Sequence, residues 1–178
     1  MDSLILPVSF RKTFETLREN LEKRGRPDII ISMGLMPFAS SIQLERVAIN
    51  MKDYDGVPDN EGATPQDEYI IPGAPAAYFS TLPIRQIADA LAKEGISAVI
   101  SNSAGTHLCN FIMYNVLHYI AQQGWKTRAG FVHLPFLPEH VQKLVHRPQN
   151  TPSLPFDVMV KSAELIVQAA AEVVSRKA

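Results

Sequence analysis

The sequence predicts an α/β protein, a three-layer sandwich in which helices flank a mostly parallel central sheet. The first observation is that helical patterns alternate along the chain with short apolar runs rich in β-branched residues. Such runs are typical of strands that are covered on both faces. The second is that no internal repeat, low-complexity segment or linker interrupts this alternation. One domain over residues 1–178 is therefore expected.

The first half of the chain supplies a helix, two strands and a long irregular segment. Apolar residues recur at helical spacing from Ser9 to Arg24, and Ser9 is the expected N-cap. The run Asp28–Ser32 predicts a buried strand, and the loose alternation of Leu44–Asn50 predicts a second. The segment Asp53–Pro75 is rich in Pro, Gly, Asp and Asn, which predicts an irregular excursion of the kind that often carries function.

The second half continues the alternation. Pro83 near a first turn and Gly95 at the end bound one amphipathic helix. The elements expected here are that helix from Thr81, a strand over Ala98–Ser101, an internal apolar helix over Leu108–Ile120, a strand over Ala129–Leu134, an irregular segment over Pro135–Pro155 and a final helix over Phe156–Ser175. Strands that alternate with helices in this way favour parallel pairing.

The composition excludes several classes of function. A net charge of −1 with no long run of one sign gives no reason to expect nucleic acid or an anionic membrane as a partner. No segment approaches the roughly 18 continuous apolar residues that a membrane span needs, and the first residues do not resemble a signal peptide. A single cysteine cannot form an internal disulfide. This fits a reducing compartment, and the cytoplasm is the expected location.

The only cysteine, Cys109, stands where the predicted strand Ala98–Ser101 gives way to a helix. The positive end of the helix dipole favours a thiolate there. His133 lies at the end of another predicted strand, and carboxyl ends of parallel strands share one edge of a sheet, so both side chains are expected at that edge. A Cys–His pair is the minimum for thiol catalysis, and Glu45 is one acid that could fix the imidazole tautomer.

The same residues also have structural interpretations. A lone cysteine is often an inert packing residue, and a histidine in an apolar strand is often part of the core. Glu45 beside Arg46 is also compatible with a surface ion pair. No CxxC or HExxH motif completes a metal site, and no P-loop, GxGxxG or GxSxG motif is present. No metal, nucleotide cofactor or serine nucleophile is predicted.

Several segments, all in order along the chain, resemble one known family. They are Glu45–Asn50, Pro58–Gly62, Pro72–Pro75, Tyr78–Pro83, Ser101–Asn110 and Gly130–Glu139. Together they resemble the pyroglutamyl peptidase I family, also called pyrrolidone-carboxylate peptidases. The similarity runs from about Leu6 to the last helix.

The resemblance implies a cysteine exopeptidase that hydrolyses the N-terminal pyroglutamyl residue from peptides. It implies Cys109 as the nucleophile, His133 as base and acid, and Glu45 as the group that orients the imidazole. It implies no metal or organic cofactor, a cytoplasmic location, and a homo-oligomer, either a dimer or a tetramer.

Substrate recognition is expected from His107 and Leu108 beside the nucleophile and from the loop that contains Asn60. The family opens with a strand and a loop of the kind Gly-Phe-x-Pro-Phe-Gly, whose phenylalanines line the pyroglutamyl pocket, and this chain begins after that point. The family's Gly-Arg pair is replaced here by Phe38-Ala39, and Phe38 is a candidate replacement wall. The alternative interpretation is a non-catalytic or altered-specificity relative, or an incomplete chain, that lacks the pocket.

Overall fold

The computed structural model describes residues 1–54, 56–145 and 150–175. Within these ranges the elements are α1 (Thr13–Arg24), β1 (Ile29–Leu35), β2 (Ile42–Glu45), β3 (Val47–Ile49), β4 (Ala77–Phe79), α2 (Ile84–Lys93), β5 (Ala98–Ser101), α3 (Leu108–Gln122), β6 (Arg128–Leu134), α4 (Pro138–Gln142) and α5 (Phe156–Ser175). No helix in this described part of the chain is both long and apolar enough to cross a membrane.

The main sheet has the strand order β1-β6-β2-β5. β1 and β6 are parallel along their whole length, from Ile29 opposite Arg128 to Leu35 opposite Leu134. β2 and β5 are also parallel, whereas β2 and β6 are antiparallel. Two of these three pairings are parallel, so the predicted mostly parallel sheet is confirmed.

Helices cover both faces of this sheet, as predicted. Residues of α1 and α3 form one apolar cluster with Ala129 and Phe131 of β6. Residues of α2 and α5 form the other cluster with Val132 of β6 and Leu44 of β2. Because successive side chains of a strand point to opposite faces, β6 contributes residues to both clusters. The three layers are therefore α1 with α3, the sheet, and α2 with α5.

The predicted bounds hold best where an apolar run has clear ends. β5 and α5 have the predicted bounds, and α3 begins at Leu108 as expected. The helix expected from Ser9 instead begins at Thr13, and its N-cap is Lys12, so the Ser9 cap was wrong. Ser9 shapes the turn before α1, since its Oγ accepts a hydrogen bond from the Lys12 backbone N–H at 3.2 Å.

The strand expected over Leu44–Asn50 is two strands in different sheets. Arg46 lies at the break, where its N–H donates to the Ser101 carbonyl and its carbonyl accepts from the Ser80 N–H, both at 2.8 Å. β3 then pairs with β4, which the sequence did not predict, to form a second, two-stranded sheet. This break leaves Glu45 as the last residue of β2.

The two predicted irregular segments have different outcomes. The described residues of Asp53–Pro75 contain no helix or named strand, as expected. Within Pro135–Pro155 the structure forms the short helix α4, and residues 146–149 of that prediction lie outside the described residues.

Candidate active site

The site is centred on a buried imidazole–carboxylate pair. His133 Nδ1 and Glu45 Oε1 are 2.7 Å apart, and the two side chains are 1% and 0% exposed. Leu44 and Val132, the residues before them, are directly paired in the antiparallel register and face α2 and α5. By strand alternation Glu45 and His133 face α1 and α3 instead.

Cys109 lies on this same face of the sheet. It is the second residue of α3 and is partly buried. A Cβ atom placed on Gly34 would lie 3.2 Å from the Cys109 sulfur, and Gly34 is the β1 residue directly opposite His133. The missing side chain of Gly34 therefore leaves space in which the sulfur approaches the strand next to His133.

Two features of the site oppose ionisation of the Cys109 thiol. Burial, and then the negative charge of Glu45, raise the pKa of Cys109 from 9.0 to about 11. The helix dipole, which was expected to favour a thiolate, acts in the opposite direction. The raised pKa favours the thiol form, so a base next to the sulfur is needed for nucleophilic attack.

The second oxygen of Glu45 lacks a hydrogen-bond partner within the part of the chain that the structure describes. Glu45 Oε2 is buried and forms no hydrogen bond to any of the residues that the structure describes. A carboxylate with one unsolvated oxygen gains more than a solvated one from a positive charge nearby. The pair is thus suited to stabilising an imidazolium on His133.

Cys109, His133 and Glu45 lie on one face of the sheet for a different reason from the one predicted. β5 runs parallel to β2, and β2 runs antiparallel to β6, so the carboxyl ends of β5 and β6 lie at opposite edges of the sheet. The expectation of one shared edge is therefore wrong. Instead, Glu45 and His133 share a face by alternation, and Cys109 is placed on that face by the packing of α3.

Two of the expected substrate-binding residues adjoin the thiol in the chain. Leu108 is buried in the first turn of α3. His107, at the N-cap, packs its ring against Tyr54 at a centroid distance of 4.0 Å and against Phe10 at 5.4 Å. Burial lowers the pKa of His107, opposed in part by the charge of Asp59.

The other two expected binding residues are attached to different segments. The Asn60 N–H donates to the Val8 carbonyl at 2.9 Å. Phe38 is 53% exposed, and its ring makes an edge-to-face contact with that of Phe136 at a centroid distance of 5.7 Å. Their part in binding substrate stays a prediction.

Sequence reasoning missed Gly34 and Asn110. Gly34 comes two residues after the predicted strand Asp28–Ser32, where a glycine is typical of a turn, but β1 continues through it to Leu35. Asn110 was included in an apolar helical pattern, although a polar residue directly after the only cysteine was the available signal. Asn110 is 0% exposed, and its three side-chain hydrogen bonds to described residues reach Ile49 and Met51, in another segment.

A thiol at a helix N-terminus, with a buried imidazole–carboxylate pair on the same face of an α/β sheet, defines the class of cysteine hydrolases. The family model described as pyroglutamyl peptidase matches residues 1–177. The chain belongs to the pyroglutamyl peptidase family. The family prediction, and with it the prediction of a cysteine-type peptidase, is confirmed.

Individual relatives agree with this assignment. The pyrrolidone-carboxylate peptidase of Pyrococcus furiosus is 44% identical over 168 residues, which cover 94% of this chain and 80% of the relative. The enzyme of the same name from Thermococcus litoralis is 42% identical over 165 residues, covering 92% and 74%.

Solved structures show the same fold. A mutant pyrrolidone carboxyl peptidase from P. furiosus superposes with a TM-score of 0.89 at 44% identity, covering 94% of this chain and 79% of that chain. The pyrrolidone carboxyl peptidase from T. litoralis gives a TM-score of 0.89 at 40% identity, covering 97% and 78%. The predicted α/β fold class is confirmed.

Proposed function

We propose that this chain hydrolyses the amide bond after an N-terminal pyroglutamyl residue through Cys109, His133 and Glu45. The observation that carries this proposal is the buried 2.7 Å contact between His133 and Glu45 on the sheet face that also bears Cys109. Membership of the pyroglutamyl peptidase family supplies the substrate class.

The first step follows from the contact between His133 and Glu45. When Glu45 Oε1 accepts the hydrogen bond from Nδ1–H of His133, Nε2 is the nitrogen left to take up a proton. His133 Nε2 takes the proton of the Cys109 thiol as the sulfur attacks the carbonyl carbon of the pyroglutamyl residue. Because the pKa of that thiol is raised to about 11, attack depends on this proton transfer and not on a standing thiolate.

The N-terminus of α3 is suited to the charge that develops next. The first backbone hydrogen bond of α3 runs from the Phe111 N–H to the His107 carbonyl at 2.9 Å. The N–H groups before Phe111 have no partner within the helix, so they are available to an oxyanion next to Cys109.

The second half of the reaction releases the two products. The imidazolium of His133, stabilised by Glu45, protonates the leaving amine, and a thioester remains on Cys109. A water molecule then gives a proton to His133 and attacks the thioester, which releases pyroglutamate and regenerates the thiol. No metal or organic cofactor takes part in this proposal.

Recognition of the lactam ring is proposed for the two residues that precede Cys109 in the chain. Leu108 offers an apolar contact, and His107 offers the buried Nε2, which has no hydrogen-bond partner among the described residues. Asn60 and Phe38 are proposed as more distant walls of the cleft.

A hydrolysis assay tests the function. Purified wild type and Cys109→Ala are compared on a pyroglutamyl fluorogenic amide and on the matching prolyl amide, which has the ring but not its carbonyl. We expect turnover of the first substrate by wild type alone. Equal rates for wild type and Cys109→Ala would reject the proposal, and turnover of the prolyl amide instead would indicate an altered specificity.

A homo-oligomer is also proposed, from the family resemblance alone. Sedimentation velocity of the purified chain is expected to give a dimer or a tetramer. A monomer at all concentrations up to the millimolar range would contradict it.

A further inference from the structure

Asn110 occupies an unusual place for a polar side chain. It is 0% exposed, follows Cys109 directly, and lies in the first turn of α3. Its Oδ1 accepts from the Ile49 N–H, and its Nδ2 donates to the Ile49 and Met51 carbonyls, all three at 2.9 Å. The amide therefore pairs with both backbone groups of Ile49 as a neighbouring strand would.

The segment that receives these bonds is continuous with Glu45. Glu45 pairs with Ser101 at the end of β2, and four residues later Ile49 pairs with Ala77 in β3. Backbone ladders therefore hold both ends of the stretch from 45 to 49. The Asn110 side chain, which is hydrogen-bonded to Ile49, is therefore connected to Glu45 through four residues of paired backbone.

Two further residues of α3 extend this attachment along the helix. Tyr114 Oη donates to the Pro75 carbonyl at 2.6 Å, and Tyr78 Oη lies 2.9 Å from His118 Nδ1. Asn110, Tyr114 and His118 are spaced by four, so they share one face of α3. Among these three, Asn110 alone adjoins the nucleophile.

We propose that Asn110 is a positioning residue: it ties the first turn of α3 to the segment that carries Glu45, and so fixes the Cys109 sulfur relative to the His133–Glu45 pair. This inference rests on the proposed function of Cys109. It assigns the amide a role in the rate of the chemical step and not only in stability. A displacement of about 1 Å at a reacting atom lowers rates by about 10²-fold.

The test compares two buried asparagines of the same helix. Asn115 is 7% exposed, and its Nδ2 donates to the Phe111 carbonyl within α3 itself. Asn115→Ala thus removes a buried amide without touching the link to Ile49. The parameters kcat, KM and melting temperature are measured for wild type, Asn110→Ala, Asn110→Asp and Asn115→Ala on the pyroglutamyl amide, well below the lowest melting temperature.

We expect Asn110→Ala to lower kcat by about 10- to 100-fold with KM changed less than about threefold. Asn115→Ala is expected to lower the melting temperature while kcat stays within about twofold of wild type. Asn110→Asp keeps the size and the acceptor for the Ile49 N–H but loses both donors. The kcat of Asn110→Asp is expected to fall as well. If Asn110→Ala does not fold, the kcat of Asn110→Asp tests the inference in its place.

Three results would overturn the inference. The first is wild-type kcat in a folded Asn110 variant. The second is an equal loss of kcat in Asn115→Ala, which would make the effect a general consequence of weakening α3. The third is a wild type without Cys109-dependent hydrolysis, which would overturn the proposed function together with this inference, whereas the first two leave that function intact.

Discussion

The two faces of the central sheet differ in what they bury. The face against α2 and α5 buries aliphatic side chains, such as Leu44 and Val132. The face against α1 and α3 also buries Glu45 and His133, each one residue further along the same strands. Because side chains alternate along a strand, the same strand can place apolar residues in the core on one face and the candidate catalytic residues on the other.

The difference between the two faces is tested most directly by substituting two neighbouring residues of β2, Glu45 and Leu44. Glu45→Gln keeps the shape of the side chain but removes the charge that fixes the tautomer of His133. We expect kcat to fall by about 10³- to 10⁴-fold, a loss of the size seen when a catalytic triad loses its acid. Steady-state kinetics on the pyroglutamyl amide measure it.

The matched change on the opposite face is Leu44→Ala. Leu44 is fully buried, so we expect the free energy of unfolding to fall by about 2–5 kcal/mol. The kcat of the folded fraction should stay near wild type, as measured by denaturant titration and kinetics together. A large loss of kcat in Leu44→Ala would show that the two faces are not separable.

A smaller effect is expected at Gly34. A Cβ atom there would lie 2.8 Å from Phe131 Cζ and 3.2 Å from the Cys109 sulfur. Gly34→Ala should therefore displace the sulfur and lower kcat by about 10- to 100-fold, with a loss of stability of about 1–3 kcal/mol. Ser32→Ala, two residues earlier in β1, is the control, and equal kcat for both variants would contradict the role of the glycine.

The Cys109 thiol is also expected to make the stability of the folded protein depend on pH in the alkaline range. The pKa of Cys109 is raised from 9.0 to about 11, by burial first and then by Glu45. The proton binds more tightly in the folded state, so this contribution to stability is complete below the unfolded pKa and is lost as the pH rises through about 11. The urea midpoint of wild type should therefore fall further between pH 8 and pH 11 than the urea midpoint of Cys109→Ala. Equal falls in the two proteins would contradict the raised pKa of the thiol.

The smallest effect is expected outside both faces, at Glu61. Arg11, Lys12 and Ser9 surround this carboxylate. Their hydrogen bonds, led by that of Arg11, lower its pKa from 4.5 to about 2. A lowered pKa stabilises the folded state above the unfolded pKa, and the benefit is lost as the pH falls from about 4.5 to 2.

Glu61→Gln should therefore flatten the dependence of the melting temperature on pH in that acidic range. The group is at the surface, so we expect a shift of no more than about 4 °C at pH 7. Thermal melts between pH 2 and pH 7 measure it. If thermal melts at pH 7 gave Glu61→Gln the same drop in melting temperature as Leu44→Ala, the cluster would contribute as much to stability as a buried leucine.

Local patterns in the sequence were sufficient for most elements and for the identity of the catalytic candidates. β5 and α5 are set by apolar runs with clear ends, and their bounds were predictable. β3 and β4 have three residues each, too short for alternation to separate them from a loop. The sequence predicts helix for the turn before α1, because Ser9 is a good capping residue and apolar residues follow it at helical spacing.

The way in which the site assembles could not be predicted. Strand direction depends on which strands become neighbours, and no local pattern encodes that β6 inserts between β1 and β2. The thiol pKa could not be predicted either, since burial and the proximity of Glu45 are properties of the fold. Their places beside predicted strands made Cys109 and His133 candidates from the sequence, whereas the face of the sheet that they share required the structure.

The spacing of Asn110, Tyr114 and His118 restricts how α3 can change in length during evolution. Each residue of an α-helix turns the next one by about 100°. A single-residue insertion or deletion between Cys109 and His118 would rotate every later contact of α3 away from its acceptor while leaving the thiol in place. We therefore expect homologous chains to vary in length before Leu108 or after Gln122, and not within the first three turns of this helix.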